Sequence, residues 1–323
     1  MSKIANDNPQ DQDGDIKDDI ILPFQLQESG LRGRAVRLGS TVNDIIKGHD
    51  YPESVSHLLA DMITLSAALS SMLKFDGIFT LQASGKGPVK TIVADMTSEG
   101  AIRGCASFDK DALNILEKDD GFYDGYSLES LTGEGYLAFT VDQGAHTDRY
   151  QGIVSLQGNK LQDSVSHYFE QSEQLRTSLC VASQNQGGEW RSGALMIQFL
   201  PDDQDSSVVT FDEKTDKERK EDWNRSKILL ETCHDDELTD RTLHVNELLR
   251  RLFHEEGVIV YGEKSVFKQC RCSEERVRSV IDGLSEDDKA HAAKDGKIEM
   301  TCEFCSQTYT IDVEIKANET ENQ

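Results

Sequence analysis

Residues 52–74 read PESVSHLLADMITLSAALSSMLK. Val55, Leu58, Leu59, Met62, Ile63, Leu65, Ala68, Leu69, Met72 and Leu73 recur at helical spacing, which predicts a helix. Pro52 suits its first turn, and Phe75-Asp76-Gly77 is a stop signal. A helix with one solvated face carries a single apolar stripe. This one has too many apolar positions for that, so it must be buried on more than one side.

The surrounding segments read as short strands. Upstream lie Ile20–Gln27 and Arg34–Leu38. Downstream, Ile78–Ala83, Val89–Met96 and Ala101–Phe108 are separated by Gly-containing turns such as Ser84-Gly85-Lys86-Gly87-Pro88. Tyr136–Val141, Tyr150–Leu156, Leu179–Ala182 and Ala194–Leu200 continue the pattern, with helical spacing at 160–175 through Leu161, Val165, Tyr168 and Phe169. Consecutive strands joined by short turns, with helices outside the run, indicate an α+β domain with a largely antiparallel sheet. Its expected extent is 19–201, after a disordered acidic tail at 1–18.

Composition changes after Pro201. Residues 202–257 read as a charged helical linker, helical in two pieces over 226–256 and ending at Gly257. Leu248, Leu249, Leu252 and Phe253 form an apolar stripe on the second piece. A small cysteine-bearing domain follows at 258–314, then a polar tail at 315–323.

The chain carries a formal net charge of −25. Phosphate backbones repel such a polyanion, so nucleic acid is not an expected partner. The residues from Met1 to Ile20 lack the apolar core of a signal peptide. No apolar run reaches the length that spans a bilayer. The seven cysteines show no secreted-scaffold spacing. Reduced thiols in the cytoplasm are the expected state.

Four of those cysteines form two tight pairs, Cys270-Arg271-Cys272 and Cys302-Glu303-Phe304-Cys305. Two such pairs can supply the four soft ligands of one tetrahedral zinc ion per chain and leave no open position, as in a structural site. Cysteines buried by coincidence, or a disulfide pair, are the alternatives. Lys264, Lys268, Arg271, Arg276 and Arg278 surround the first pair in sequence; either they keep thiolates deprotonated or they are ordinary surface charge. A core of this size supplies roughly 3–5 kcal/mol, against roughly 10–16 kcal/mol from structural zinc. The region is therefore expected to unfold without its metal. Cys105 and Cys180 lie in apolar strands and read as core residues; Cys233, in the linker, could be either.

Several segments together resemble one family. They are LLRRLFHEEGVIVY (Leu248–Tyr261), CRCSEERV (Cys270–Val277) and CEFC (Cys302–Cys305) followed by Tyr309. In the first half they are KFDGIFTLQ (Lys74–Gln82), GYLAFTVD (Gly135–Asp142), RYQGIVSL (Arg149–Leu156) and HYFEQSEQL (His167–Leu175). The chain resembles the redox-regulated bacterial holdase chaperones of the heat shock protein 33 (33 kDa chaperonin) family. The departures are Ser306-Gln307 where zinc knuckles often carry Gly, Arg176 after SEQL, and the acidic N-terminal extension.

The resemblance implies an N-terminal domain, a helical linker and a zinc-binding redox domain. It implies an ATP-independent chaperone, inactive when reduced and zinc-bound, that protects unfolding or oxidatively damaged proteins during oxidative stress. Oxidation is then expected to pair Cys270 with Cys272 and Cys302 with Cys305, expel zinc, unfold the linker and favour a homodimer. Residues that would hold clients are Trp223, Leu229, Leu230, Leu248, Leu249, Leu252 and Phe253.

Two other classes compete. A zinc-ribbon-like adaptor would share the ligands but keep its metal under peroxide. An enzyme finds no support: the stretch from Gly257 through Gly262 to Lys264-Ser265 has one residue too many for a phosphate-binding loop. No Gly-x-Ser-x-Gly elbow occurs either.

Overall fold

A computed structural model describes residues 2–3, 17–118, 127–144, 150–199 and 214–313. The chain divides into two units, Met1–Lys268 and Gln269–Gln323. The first unit begins with β1 (Ser2–Lys3), β2 (Ile20–Leu26), β3 (Arg32–Leu38), α1 (Ser40–Lys47) and α2 (Glu53–Ser70). Strands β4 (Ile78–Gly85), β5 (Val89–Thr97) and β6 (Ala101–Phe108) follow, then α3 (Lys110–Leu116) and α4 (Leu128–Thr132). Next come β7 (Gly135–Asp142), β8 (Tyr150–Ser155), α5 (Leu161–Tyr168), β9 (Thr177–Asn185) and β10 (Trp190–Gln198). The unit closes with α6 (Asp216–Glu231), α7 (Asp235–Thr239), α8 (Val245–Phe253), β11 (Val258–Val260), β12 (Lys264–Ser265) and β13 (Phe267–Lys268). The second unit holds α9 (Glu274–Asp282), α10 (Glu286–Ala292) and the hairpin β14 (Lys297–Thr301) and β15 (Thr308–Asp312).

The architecture is α+β, with two large sheets in the first unit where the sequence suggested one. The first has the order β1-β11-β2-β3-β10-β9, with β12 also on β2; the second runs β13-β6-β5-β4-β7-β8. All pairings among the described residues are antiparallel except β13 with β6.

Helix α2 packs against strands of both sheets, which explains its apolar surplus. From Ser54 to Ser70 only His57 and Asp61 keep partial exposure. Its hydroxyls are satisfied locally: Thr64 Oγ1 donates to the Ala60 carbonyl (2.7 Å) and lies 2.6 Å from Ser192 Oγ on β10. Gly104 on β6 lets the helix approach, since a Cβ there would meet Leu59 and Ile63 side chains at 3.0 and 3.1 Å.

Strand alternation gives the first sheet two apolar faces. Ile21, Val36, Leu38, Val181, Ala194 and Met196 belong to the core around α2. Ile20, Leu22, Phe24, Leu26, Ala35, Leu195 and Ile197 face the other way, against the linker. There Trp223, Leu230, Leu248, Leu249, Leu252 and Phe253 are all buried, and Leu229 packs at the margin. The rings of Phe24 and Phe253 stack at 6.1 Å.

Polar ties add to this docking. Arg37 donates to the carbonyls of Glu237 (2.8 Å) and Asp240. Arg191 donates to the Thr239 carbonyl (3.1 Å) and pairs with Asp18. Within the linker, Arg225 joins Asp222 (2.9 Å) to the buried Glu256 (2.5 Å).

The linker departs from the sequence reading in two ways. Its first helix starts at Asp216, ten residues earlier than the predicted 226. The cause is a capping box: Thr215 Oγ1 accepts from the Glu218 amide (3.3 Å), and Glu218 accepts from the Thr215 amide (2.7 Å). Residues 258–268, assigned by sequence to the cysteine domain, form β11–β13 on the sheets of the first unit. Their short apolar runs find free strand edges there. Of the tail expected at 1–18, Ser2–Lys3 pairs with β11 and Lys17 pairs with Glu263. Residues 4–16, 200–213 and 314–323 lie outside the described residues, including the polar C-terminal tail.

Leu249→Ala should weaken linker docking by about 2–5 kcal/mol, because Leu249 is fully buried. Ile228→Ala, at a position 61% exposed, should change it by no more than about 0.5 kcal/mol. Denaturation followed by tryptophan fluorescence and amide exchange in α6–α8 reads both.

Candidate metal centre

The second unit has a core of four buried apolar residues: Val277 and Ile281 on α9, Ile298 on β14 and Ile311 on β15. Ala293, Met300, Tyr309 and Val313 pack at its edge. A core this small does not hold a fold unaided. The four clustered cysteines belong to this unit.

Each cysteine pair sits on a defined turn. Cys302 and Cys305 occupy the tip of the β14–β15 hairpin. The Cys302 carbonyl accepts from the amides of Cys305 (3.4 Å) and Ser306 (2.8 Å), and the Cys302 amide donates to Gln307 (2.9 Å). Ser306 adopts φ = 59°, the left-handed conformation that glycine takes at lowest cost. The departure from the family pattern therefore keeps the knuckle turn at some backbone strain. Cys270 and Cys272 precede α9, whose cap Ser273 Oγ accepts from the Arg276 amide (3.3 Å).

All four sulfurs lie within 4.8 Å of one another, so the cluster could hold a metal ion. Cys270 and Cys302 Sγ are 3.7 Å apart, and Cys272 and Cys305 Sγ 3.4 Å. A tetrahedron with Zn–S bonds of about 2.3 Å has sulfur–sulfur edges of about 3.8 Å. The residues present thus fit zinc. Tyr309 Oη donates to Cys272 Sγ at 3.2 Å, the kind of outer contact that orients a ligand.

Burial pushes the Cys302 thiol up, and burial with shared thiol hydrogen bonds pushes Cys305 up to about 12. Four of the cations that flank the first pair in sequence have described partners. Lys264 and Lys268 donate to the carbonyls of Ser98 (2.7 Å) and Asp44 (2.6 Å). Arg276 donates to the Arg271 carbonyl (2.6 Å), and Arg278 pairs with Glu274 (3.0 Å). Burial favours the neutral thiols of Cys302 and Cys305, and a bound divalent ion would favour their thiolates.

The family model described as "Hsp33 protein" matches residues 19–312. The chain belongs to the Hsp33 family. A 33 kDa chaperonin of Caulobacter vibrioides is 37% identical over 305 residues, covering 93% of this chain and 97% of that protein. That of Photorhabdus laumondii is 34% identical over 300 residues, 93% and 95% of the two chains. The crystal structure of the 33 kDa chaperonin from Thermotoga maritima superposes with a TM-score of 0.74 at 19% identity, covering 92% of this chain and 96% of that one. At that identity the likeness speaks for the fold. Membership in the Hsp33 family supports a chaperone function. Among the described residues, no helix is long and apolar enough to cross a membrane.

The client-binding candidates are all in the first unit and face the sheet. Cys105 is buried. Cys180 on β9 and Cys233 after α6, read separately in the sequence, both pack at the margin of the core beneath the linker, and Cys233 Sγ donates to the His234 carbonyl at 3.8 Å. No sequence spacing could reveal that the two share one core. Asp61 on α2 was also missed, since an acid within an apolar helix reads as a surface position. It accepts from Ser183 Oγ at 2.7 Å.

Two predictions follow from these sites. Burial lifts the Asp61 carboxyl from the ordinary 3.8 to about 6, with the Ser183 hydrogen bond opposing. The folded state then holds the proton more tightly than the unfolded chain. Its stabilising contribution is full below the unfolded value and is lost as pH rises through the folded one. Asp61→Asn should flatten the stability profile between those two values, as measured by denaturation at a series of pH values. Chelating the metal from reduced protein should abolish amide protection across α9, β14 and β15, while β3, β9 and β10 stay protected. Structural zinc contributes roughly 10–16 kcal/mol in small domains, more than a four-residue core supplies.

Proposed function

We propose that this chain is a redox-regulated, ATP-independent holdase for unfolded or oxidatively damaged proteins in the cytoplasm. In its reduced, inactive form Cys270, Cys272, Cys302 and Cys305 hold one zinc ion, which supplies the charge that keeps four crowded sulfurs as thiolates. The observation that carries the reading is a four-sulfur shell of zinc dimensions in a unit with a four-residue apolar core.

Activation begins with oxidation of each pair to the disulfides Cys270–Cys272 and Cys302–Cys305. Sulfur separations do not select this pairing, because the 3.4 and 3.7 Å contacts run between the pairs. Chain connectivity favours it, since partners one or three positions apart stay together after the shell is broken. Such short rings restrain little unfolded chain. The second unit therefore loses its metal with nothing of comparable size to replace it.

Residues 19–201, with β11–β13, act as the chaperone domain, 202–257 as a releasable linker and the second unit, from Gln269, as the switch region, between polar ends at 1–18 and 315–323. Burial of the linker side chains is worth roughly 1.5–3 kcal/mol each, but ordering the linker backbone costs roughly 1–2 kcal/mol per residue. The small net docking energy is open to a bias of a few kcal/mol. Release would expose Trp223, Leu229, Leu230, Leu248, Leu249, Leu252 and Phe253, together with the sheet face that carries Phe24 and Leu195. Such an apolar patch suits both unfolded chains and a second copy, giving the oxidised homodimer. The charge of −25 keeps the loaded complex soluble.

Light scattering of a heat-denaturing client, without ATP, tests the reading. Peroxide-treated protein should suppress aggregation, and reduced, zinc-loaded protein should not. Equal protection by both forms would make the cysteines structural only. Protection by neither, with zinc retained under peroxide, would favour an adaptor with a purely structural metal.

A further inference from the structure

Helix α7 is the linker element with the least apolar anchoring. Of its five residues only Leu238 and Thr239 are buried, whereas α6 buries Trp223 and Leu230 and α8 buries five residues. Its seat is Gly193 on β10, where a Cβ would meet the Leu238 carbonyl oxygen at 2.4 Å. Arg37 on β3 pairs with Gly193 across the strands, and Arg191 stands two positions before it. By strand alternation both arginines share the face of Ala35 and Leu195, the one beneath the linker.

A helix this short leaves its last carbonyls without partners of its own. The arginines supply the donors. Arg37 bonds the Glu237 carbonyl at 2.8 Å and also the Asp240 carbonyl, and Arg191 Nε bonds the Thr239 carbonyl at 3.1 Å. Arg37 is 2% exposed and Arg191 8%. A guanidinium keeps its proton inside a protein, so two of them buried together need a counter-charge. Asp18 provides it. Its carboxylate takes both prongs of the Arg191 fork, Nη1 at 2.6 Å and Nη2 at 2.5 Å. Burial pushes the Arg37 guanidinium down, and the Asp18 charge is the foremost one opposing it, with Asp240 acting in the same sense.

Asp18 is itself held from both sides. Asp19 caps the start of α1, accepting from the Gly39 and Thr41 amides at 2.9 and 3.0 Å. The Asp19 carbonyl accepts from the Val266 amide at 2.8 Å. Lys17 pairs with Glu263 at 2.6 Å. Gly39 leaves room for the carboxylate, since a Cβ there would lie 2.9 Å from Asp18 Oδ2.

We propose that Asp18 is a positioning residue for the linker: by neutralising Arg191 and Arg37 it keeps both guanidiniums on the α7 carbonyls, so the segment just ahead of β2 helps to hold the protein in its inactive state. The tie stands by itself; its effect on activity rests on the linker release proposed above.

Magnitudes single out this tie. The ion pairs Lys160–Asp235, 3.7 Å long, and Arg241–Glu189, 2.8 Å long, also join α7 and the turn after it to their surroundings, but both are exposed. Exposed pairs contribute little. Asp18 and Arg191 are mostly shielded from water, and removing one partner of such a pair leaves the other buried and uncompensated. Without Asp18 the Arg191 fork turns toward water and gives up the Thr239 carbonyl, and Leu238 becomes the chief anchor of α7. A loosened α7 is a slack joint between α6 and α8, which lowers the cost of lifting either.

Full-length, reduced, zinc-loaded protein is compared as wild type, Asp18→Asn, Arg191→Met and the double variant. Amide exchange in α7 should be at least about tenfold faster in Asp18→Asn than in wild type, with β4, β5, β7, α9 and β15 unchanged. Unchanged exchange in α7 would overturn the proposal. The double variant should exchange no faster than the faster single variant, because Asp18 acts through Arg191; factors that multiply would overturn that route. If Asp18→Asn also loses protection across β4 and β5, it has not folded, and Arg191→Met decides alone: a rise confined to α7 supports the tie, and no rise overturns it. In light scattering without peroxide, reduced Asp18→Asn should slow client aggregation where reduced wild type does not. Identical curves would overturn the part Asp18 plays in the inactive state. Peroxide-treated wild type runs alongside. If it gives no protection either, the holdase reading fails, while α7 exchange still decides the tie.

Discussion

The first sheet is apolar on both faces, and that constraint organises the whole first unit. One face is covered permanently by α2, which is itself buried between two sheets. The other needs a cover of its own, and the linker helices supply it through Trp223, Leu230 and the α8 stripe. A sheet left bare on that side would present Phe24, Leu26, Leu195 and Ile197 to water. Any event that lifts the linker therefore exposes two complementary apolar surfaces at once.

The two covers differ in how they are held. Helix α2 is enclosed from Ser54 to Ser70 apart from the partly exposed His57 and Asp61, its hydroxyls satisfied in place, so its removal means global unfolding. The linker is amphipathic. Its outer face is charged, and its polar ties run through a few arginines, Arg37, Arg191 and Arg225. Such an element has fewer buried contacts and opens at lower free energy. The fold thus pairs an enclosed cover with an amphipathic one.

The second unit is built on the opposite principle. Its apolar core is four residues, and its most demanding feature is four sulfurs gathered in one small volume. Burial and hydrogen bonds from neighbouring sulfurs raise the Cys302 and Cys305 thiols, and a bound divalent ion would be a large stabiliser of such a cluster. A unit whose fold depends on ligand chemistry more than on packing is sensitive to whatever changes that chemistry.

Much of this was legible in the sequence. The burial of α2 followed from its apolar surplus, the strands from alternation and turns, and the metal cluster from two local cysteine pairs whose spacing is a local property. The apolar stripe Leu248, Leu249, Leu252 and Phe253 was equally plain. What it packs on was not, because a helical stripe fixes a face and no partner. Only the tertiary structure decided that this face meets the first sheet and that residues 258–268 complete the sheets of the first unit. It also placed Cys180 and Cys233, residues on different elements that look unrelated along the chain, at the margin of one core. Periodicity and spacing report what neighbours in sequence do together; contacts between distant segments depend on which surfaces remain uncovered once each element has formed.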